Sequence, residues 1–416
     1  MPRFPRTAPS AQSLSDRVFG RLVAKSGAHQ GRLYPLHVGD TYLDPLPQAR
    51  AQEQLAEHRE RLHNYSPVQG EPALLDAICR KIARRSRVVV EPDCVQVMSG
   101  ATAGLGVVCT ALLEPGDEVI VPDPEWPPCA GNIKLAHGVP VPCPLHEHLG
   151  WRYDLGELEA RITPKTRAIY LNSPHNPTGG VLTREDVESI AAIAARRGIW
   201  IISDEAYEDV LFDGAEHVSP ASLPGMYERT ISLYTFSKTY AMTGLRLGYV
   251  AAQDAALRDR MKKALFYTAS NVASVVQFGG IGGLEGRQDT VAQYRQELQA
   301  RRDLFYDGIR ANAGSVFSGE PPRGAFYAFL RIDPSWVSPA GAKDSISWAM
   351  TEYLISRGRI GCVPGADFGA NGEGYVRFCF ARDRRELAGA LASMQSIFNS
   401  DPIRNRPAAR AAAQDS

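Results

Sequence analysis

A lysine set among hydroxyls carries the most specific chemistry in this sequence. In TFSKTYAMTGLRLGY (235–249) Lys238 lies beside Thr235 and Ser237, with Arg246 further along the same segment. A primary amine there can form an imine with an aldehyde cofactor, which then serves as an electron sink for a carbanion. Two hydroxyls and a planar guanidinium are donors suited to a phosphate. Read without its neighbours, the segment is equally consistent with a solvated lysine and a surface arginine.

Two upstream segments supply partners. NSPHNPTGG (172–180) is a rigid Pro/Asn/Gly turn after an apolar run, where Asn176 can donate to a phenolate oxygen; alone, it is a plain turn. In ISDEAYEDV (202–210) an apolar run ends on Asp204, followed by Tyr207. Ligands in open α/β sheets bind at the carboxyl ends of strands. A carboxylate placed there can pair with a pyridinium nitrogen and keep it protonated, although a helix cap is an equally common use.

The elements that must position these groups alternate. Short apolar runs recur at Cys94–Met98, Glu118–Val121, Val139–Cys143, Ala168–Leu171, Ile199–Ser203, Ile231–Tyr234 and Leu247–Ala251. Helical stretches or Gly/Pro breaks separate most of them. Glu71–Arg85 places Leu74, Leu75, Ile78 and Ile82 on one face, and Thr183–Arg197 opens with Thr183 and Glu185. This pattern predicts an α/β fold with a mainly parallel sheet covered by helices. Beyond about residue 285 it changes to a long helix (287–312), the break SGEPPRG, the strand-like FYAFLRI, RIGCV and GYVRFCF, and helices near 344–357 and 384–398. Leu387, Leu391, Met394 and Ile397 stripe the last of these. The expected division is an N-terminal arm with part of the small domain (1–49), a large domain (50–290), a smaller α+β domain (291–400) and a loose tail (401–416). Residues 1–13 and 403–416 read as loose ends.

Composition narrows the partners. Lys plus Arg equals Asp plus Glu, 46 against 46, so no electrostatic footprint marks a nucleic acid or an anionic membrane. No stretch approaches the roughly 18 to 20 apolar residues of a membrane span, and MPRFPRTAPS lacks a secretory signal's apolar run. The 7 cysteines are scattered without C-x-x-C spacing, which argues against a disulfide framework or a zinc site and for a reducing cytoplasm. His146 and His148 in LHEHLG have no accompanying ligand cluster and read as a polar loop, so no metal is expected. The basic run KIARRSR (81–87) reads as the solvated end of a helix.

Taken together and in this order, the three segments resemble the class I/II aminotransferases, the fold-type I pyridoxal-phosphate enzymes typified by aspartate aminotransferase. The likeness runs from about residue 30 to 398. It implies a large cofactor-binding domain, a smaller domain, bound pyridoxal 5'-phosphate, and a homodimer with its active site at the interface. On this resemblance Lys238 is the Schiff-base lysine and the base that moves the α-proton, and Asp204 is the pyridinium partner. Asn176 and Tyr207 donate to the cofactor's ring oxygen. Gly100, Ala101 and Thr102 of VMSGATAGL, with Thr235, Ser237 and Arg246, hold the phosphate. Trp126 of PDPEWPP stacks on the ring, and Tyr65 of NYSPVQG reaches the neighbouring subunit's phosphate. Arg377 of GYVRFCF clamps the substrate α-carboxylate in bidentate fashion, alongside Asn176 and Gly39 of LHVGDTYLDP.

Four positions depart from the family's usual pattern. Asp40 stands where Glu is frequent, Thr235 where Ser or Gly is, Cys129 where a second aromatic is, and Leu245 where Trp is. None removes a catalytic group, but they blur the side-chain pocket. His175 occupies a position the family leaves variable. The reaction implied is amino transfer from an L-amino acid to a 2-oxo acid. A carbon–sulfur β-lyase or an aminocyclopropane-carboxylate-synthase-like enzyme would use the same residues. A non-catalytic regulator is opposed by the presence of Lys238 and by the lack of room for a DNA-binding domain before the matched region.

Overall fold

The computed structural model describes residue 14 and residues 33–56, 58–60, 62–338 and 345–399. The segments read above as loose ends lie outside these. After a short β1 (Tyr34–Pro35) come β2 (Val95–Met98), β3 (Glu118–Asp123), β4 (Val139–His146), β5 (Arg152–Tyr153), β6 (Thr166–Asn172), β7 (Trp200–Asp204), β8 (Thr230–Thr235) and β9 (Gly248–Ala251). All but β1 form one sheet, ordered β2-β9-β8-β7-β6-β3-β4-β5. Each short apolar run named above for the large sheet falls in one of its strands, except that Cys94, Ile199 and Leu247 precede theirs by one residue.

β3, β4, β6, β7 and β8 run parallel. Strands buried on both faces read as unbroken apolar runs, and Val119, Ile169, Ile201 and Leu233 are all fully buried. β9 is antiparallel to both β8 and β2, and β5 to β4, so the sheet is mainly parallel with these exceptions. Because β9 reverses direction against both neighbours, β2 points the same way as β8. The ends of β2, β3, β6, β7 and β8 therefore converge on one edge.

The helices follow local signals. Pro72–Ser86 carries Pro at its first position and buries Leu74, Leu75, Ile78 and Ile82 as expected. Arg184–Arg197 starts at a capping box in which Thr183 pairs with Asp186, rather than with Glu185, and stops at Gly198 with φ 68°. Ser274–Glu285 was not legible beforehand because glycine weakens a helical pattern. Its glycines instead admit the helix Pro47–Ala56: a Cβ on Gly279 would lie 2.2 Å from Glu53 Oε1, and on Gly282 2.3 Å from Gln48 O.

The basic run needs one correction. Arg84, Arg85 and Arg87 are exposed, but Lys81 is buried and ion-paired with buried Glu208, its amine 4.6 Å from the Tyr234 ring centre. Lys81 follows Ile78 by one helical turn and so shares the core-facing stripe, where a charge needs a partner. His146 hydrogen-bonds Glu157 at 3.2 Å, and no metal-holding cluster occurs among the described residues. No helix among them is long and apolar enough to cross a membrane.

The smaller sheet combines β10 (Phe317–Ser318), β11 (Tyr327–Ile332), β13 (Val363–Pro364) and β14 (Tyr375–Cys379) in the order β10-β11-β14-β13, all antiparallel. RIGCV divides: β12 (Ile360–Gly361) leaves this sheet to pair with β1, and β13 joins β14. The long helix Asp289–Ala313 and the final helix Arg384–Asn399 cover one core with Phe305, Phe378, Leu391 and Met394. They approach so closely that a Cβ on Gly308 would meet Leu391 Cδ1 at 2.3 Å. Truncating Leu391 there would cost about 2–5 kcal/mol.

Candidate active site

A cavity of about 190 Å³ opens at the edge where the parallel strands end. It is bounded by Asn172 at the end of β6, Asp204 at the end of β7 and Thr235 at the end of β8, with Trp126 following β3. Arg377 of β14 and Tyr327 of β11 close it from the smaller sheet. The register sets Asn172 beside Asp204 and Thr235 beside Gly248, so neighbouring strands deliver their chemistry at one level.

One end is built for an anion. The helix Ala101–Leu112 begins here after Gly100, with the unpaired amides of its first turn facing a position where negative charge is stabilised. Thr235 Oγ1 donates to Ser237 Oγ at 2.9 Å, and Arg246 Nη1 reaches Thr243 O at 2.8 Å. Gly100 lies against Arg246: at φ 85° it holds a backbone that L side chains resist, and a Cβ would come 2.6 Å from Nη2. Arg246 is itself left-handed at φ 55°, a strained conformation for a residue other than glycine.

A buried carboxyl lines the cavity too. Asp204 Oδ2 accepts from the Tyr170 hydroxyl at 2.8 Å and Oδ1 from Ala206 N at 3.1 Å. Burial raises its pKa to about 6, against the opposing pull of these donors. Each oxygen keeps lone-pair capacity for a further donor such as a protonated ring nitrogen.

Lys238 lines the same cavity. Its Nζ donates to Gly39 O at 2.9 Å and stands 5.7 Å from the Tyr207 ring centre. Burial lowers its pKa to about 8, with Asp40 opposing the shift, so a free amine is accessible near neutrality. Tyr207 meets Tyr327 hydroxyl to hydroxyl at 2.9 Å. Arg377 donates through Nη1 to Asn176 Oδ1 at 3.0 Å and through Nη2 to His37 O at 2.9 Å. Its guanidinium carbon is 4.5 Å from the Tyr327 ring centre and 4.9 Å from that of Phe368, and its buried Nε has no partner. With Oδ1 occupied, Nδ2 is the end of Asn176 left to donate.

Gly39, Ala101, Thr102, Trp126, Asn176, Asp204, Tyr207, Thr235, Ser237, Lys238, Arg246 and Arg377 thus line one cavity, with Gly100 directly behind Arg246. Tyr65 does not line it: that side chain is 88% exposed on a surface loop. Asn172, Ala206, Thr243 and Tyr327 line it without having been anticipated. Asn172 is the first residue of NSPHNPTGG and accepts from Asn176 N at 2.9 Å, so its segment was visible though its role was not. Tyr327 gave no local signal, because long-range strand pairing places it there.

His175 is not a free loop residue. It is buried, with Nδ1 2.7 Å from Thr178 Oγ1 and Nε2 3.3 Å from Glu125 Oε2. Burial lowers its pKa to about 3, and burial holds the neighbouring Glu125 carboxyl well above the carboxylate range.

The sequence model for aminotransferase class I and II matches residues 33–394. An aspartate aminotransferase of Pyrococcus abyssi is 35% identical over 81% of this chain and 84% of its own length. An aromatic-amino-acid aminotransferase of Thermococcus litoralis is 35% identical over the same shares. The crystal structure of an aspartate aminotransferase from Rhizobium meliloti superposes with a TM-score of 0.89 at 30% identity, covering 94% of this chain and 98% of that one.

Proposed function

The chain belongs to the class I and II aminotransferase family, and from that membership we propose that it moves the amino group of an L-amino acid to a 2-oxo acid with pyridoxal 5'-phosphate held on Lys238. The observation that carries this reading is the convergence of three groups on one cavity: an anion cup, a buried amine of lowered pKa and a buried carboxyl. These match the cofactor's phosphate, aldehyde and ring nitrogen. Bound there, pyridoxal phosphate supplies an electron sink for the pair left when Cα loses its proton.

The residues divide the remaining work. The amides of Ala101 and Thr102, with Thr235, Ser237 and Arg246, would hold the phosphate at the Gly100 turn, where Gly100 N itself donates to Met98 O at 2.8 Å. Trp126 packs on the ring face, Asp204 meets the ring nitrogen, and Asn176 and Tyr207 donate to the ring oxygen. Tyr207 can donate there while still accepting from the Tyr327 hydroxyl. Arg377 and Asn176 orient the substrate carboxylate beside Gly39, which sets the Cα–H bond for cleavage. Once displaced by substrate, Lys238 carries the proton away from Cα, and its lowered pKa suits a base near neutral pH.

A second copy of the chain completes this site by contributing Tyr65. Tyr65, Tyr267 and Phe266 are 88%, 84% and 52% exposed, large aromatic surfaces that suit an interface. The domain division that accompanies the reading is 1–49, 50–290 and 291–400, and the pairing of β1 with β12 supports assigning part of the first segment to the small domain. The seven free thiols suit a reducing cytoplasm.

The test is an assay of single L-amino acids with a 2-oxo acid acceptor, following both keto-acid product and ammonia. Amino transfer gives a new amino acid stoichiometric with the new oxo acid and no ammonia. Ammonia with pyruvate, without transfer, would mean β-elimination instead.

A further inference from the structure

The function proposed above needs a negative charge on Asp204, in a place with almost no water to support it. Tyr170 is fully buried on β6, two residues before Asn172, which pairs with Asp204. On a shared sheet face that offset brings the Tyr170 hydroxyl to Asp204 Oδ2 at 2.8 Å. Its backbone is tied in place as well, since the Tyr153 hydroxyl donates to the Tyr170 carbonyl O at 3.1 Å. The hydroxyl is thus a donor built into the sheet and aimed at one carboxylate oxygen.

A second buried carboxyl lies close enough for Asp204's charge to raise its pKa further. Glu125 Oε1 accepts from Trp126 N at 2.6 Å, and Oε2 faces His175 Nε2. Two carboxyls in one dry region do not both ionise easily. The remaining charged and titratable neighbours act on Asp204 in both directions. Lys238 supports its charge, and Cys129 is a buried thiol whose pKa burial raises. Glu205 opposes it but is engaged elsewhere, by His217 at 2.9 Å and Ser219 at 2.7 Å. Asp204 has two donors, whereas Glu125 has one backbone donor and a neutral imidazole. A neutral Glu125 satisfies the geometry: Oε2–H donates to His175 Nε2, and Nδ1–H donates to Thr178 Oγ1.

We propose that Tyr170 is a positioning residue that keeps the negative charge on Asp204, while Glu125 beside it is held as the neutral acid, its proton shared with His175. This rests on the reading that Asp204 meets the cofactor's ring nitrogen. The arrangement separates two neighbouring carboxyls into one charged and one neutral group, with hydrogen bonding favouring the charge on Asp204. Removing the Tyr170 hydroxyl shifts the proton shared between the ring nitrogen and Asp204 toward the carboxyl.

The experiment is nitrogen NMR of protein loaded with pyridoxal phosphate carrying ¹⁵N in the ring, whose shift reports protonation directly, together with kcat and KM across pH. In Y170F the proton distribution should move toward Asp204 by on the order of 10- to 100-fold, the effect of one hydrogen bond to a charged group. The kcat should fall while KM stays near its original value. In E125Q, which keeps a neutral amide in place of a neutral acid, signal and pH profile should stay as in the parent. A Y170F signal identical to the parent's, while that of D204N changes, would overturn this proposal alone. An E125Q shift as large as that of Y170F would overturn it too, by showing Glu125 to be charged. An unchanged D204N signal would overturn it together with the role of Asp204 beneath it.

Discussion

Arg377 donates to Asn176 Oδ1 across 3.0 Å, joining a strand of the smaller sheet to the turn that follows β6 of the larger one. The contact is buried and flanked by Tyr327 and Phe368, so the guanidinium is held flat before any substrate arrives. Preorganisation of this kind puts binding energy into orientation.

Lysine in place of Arg377 keeps the charge and loses the fork. R377K is expected to raise KM for the amino acid about 10- to 100-fold, the loss of one charge-assisted hydrogen bond. Affinity for pyridoxal phosphate should stay the same, because Arg377 lies away from the anion cup. Steady-state kinetics and a cofactor-binding titration on the same preparation separate the two effects.

Lys238 has its pKa lowered to about 8. Only the unprotonated amine attacks an aldehyde, so cofactor uptake by the apoprotein should accelerate as pH rises through about 8 and level off above it. A lysine at its ordinary value would still be gaining rate at about pH 9. Stopped-flow growth of the protein-bound cofactor's visible band, measured across pH, gives the midpoint.

Gly100 holds φ 85° against Arg246. In G100A the methyl must displace the guanidinium and strain a left-handed backbone, at about 1–2 kcal/mol for the backbone alone. Cofactor affinity should fall on the order of 10-fold, since 1.4 kcal/mol is a factor of ten. Equilibrium dialysis measures it. Added inorganic phosphate should compete with pyridoxal phosphate less well in G100A than in the parent.

Lys81 and Glu208 form a buried ion pair, and neither lines the cavity. K81M leaves a carboxylate without its cation and should destabilise the apoprotein by about 3–5 kcal/mol, read from its urea transition. The double variant K81M/E208L should recover most of that loss, because an apolar pair carries no desolvation penalty.

These cases also show what could be read without coordinates. The strands of the large sheet were legible because burial on both faces writes Val119–Val121 or Ile201–Ile202 as unbroken apolar runs. Asp204 was legible because it ends such a run, and Asn176 and Lys238 because each follows one within a few residues, beside turn or hydroxyl chemistry. Tyr327 was not: β11 pairs Phe329 with Arg377, and only that register brings Tyr327, two residues away, over the guanidinium. Tyr170 read as one more apolar strand residue, since nothing local reveals that its hydroxyl meets Asp204 from the neighbouring strand. Lys81 was misread because a helical face is decided by its packing partner, here Glu208, far along the chain. Long-range pairing is the common cause of what stayed hidden.

The most direct measurement is to load the protein with pyridoxal phosphate, reduce it with borohydride, digest it and locate the cofactor by mass spectrometry. One modified peptide is predicted, with the label on Lys238, and none when an L-amino acid substrate is added before reduction, because the substrate has taken the lysine's place. Label on a different lysine, or spread over surface lysines with Lys238 unmodified, would contradict the assignment of this cavity as the catalytic site.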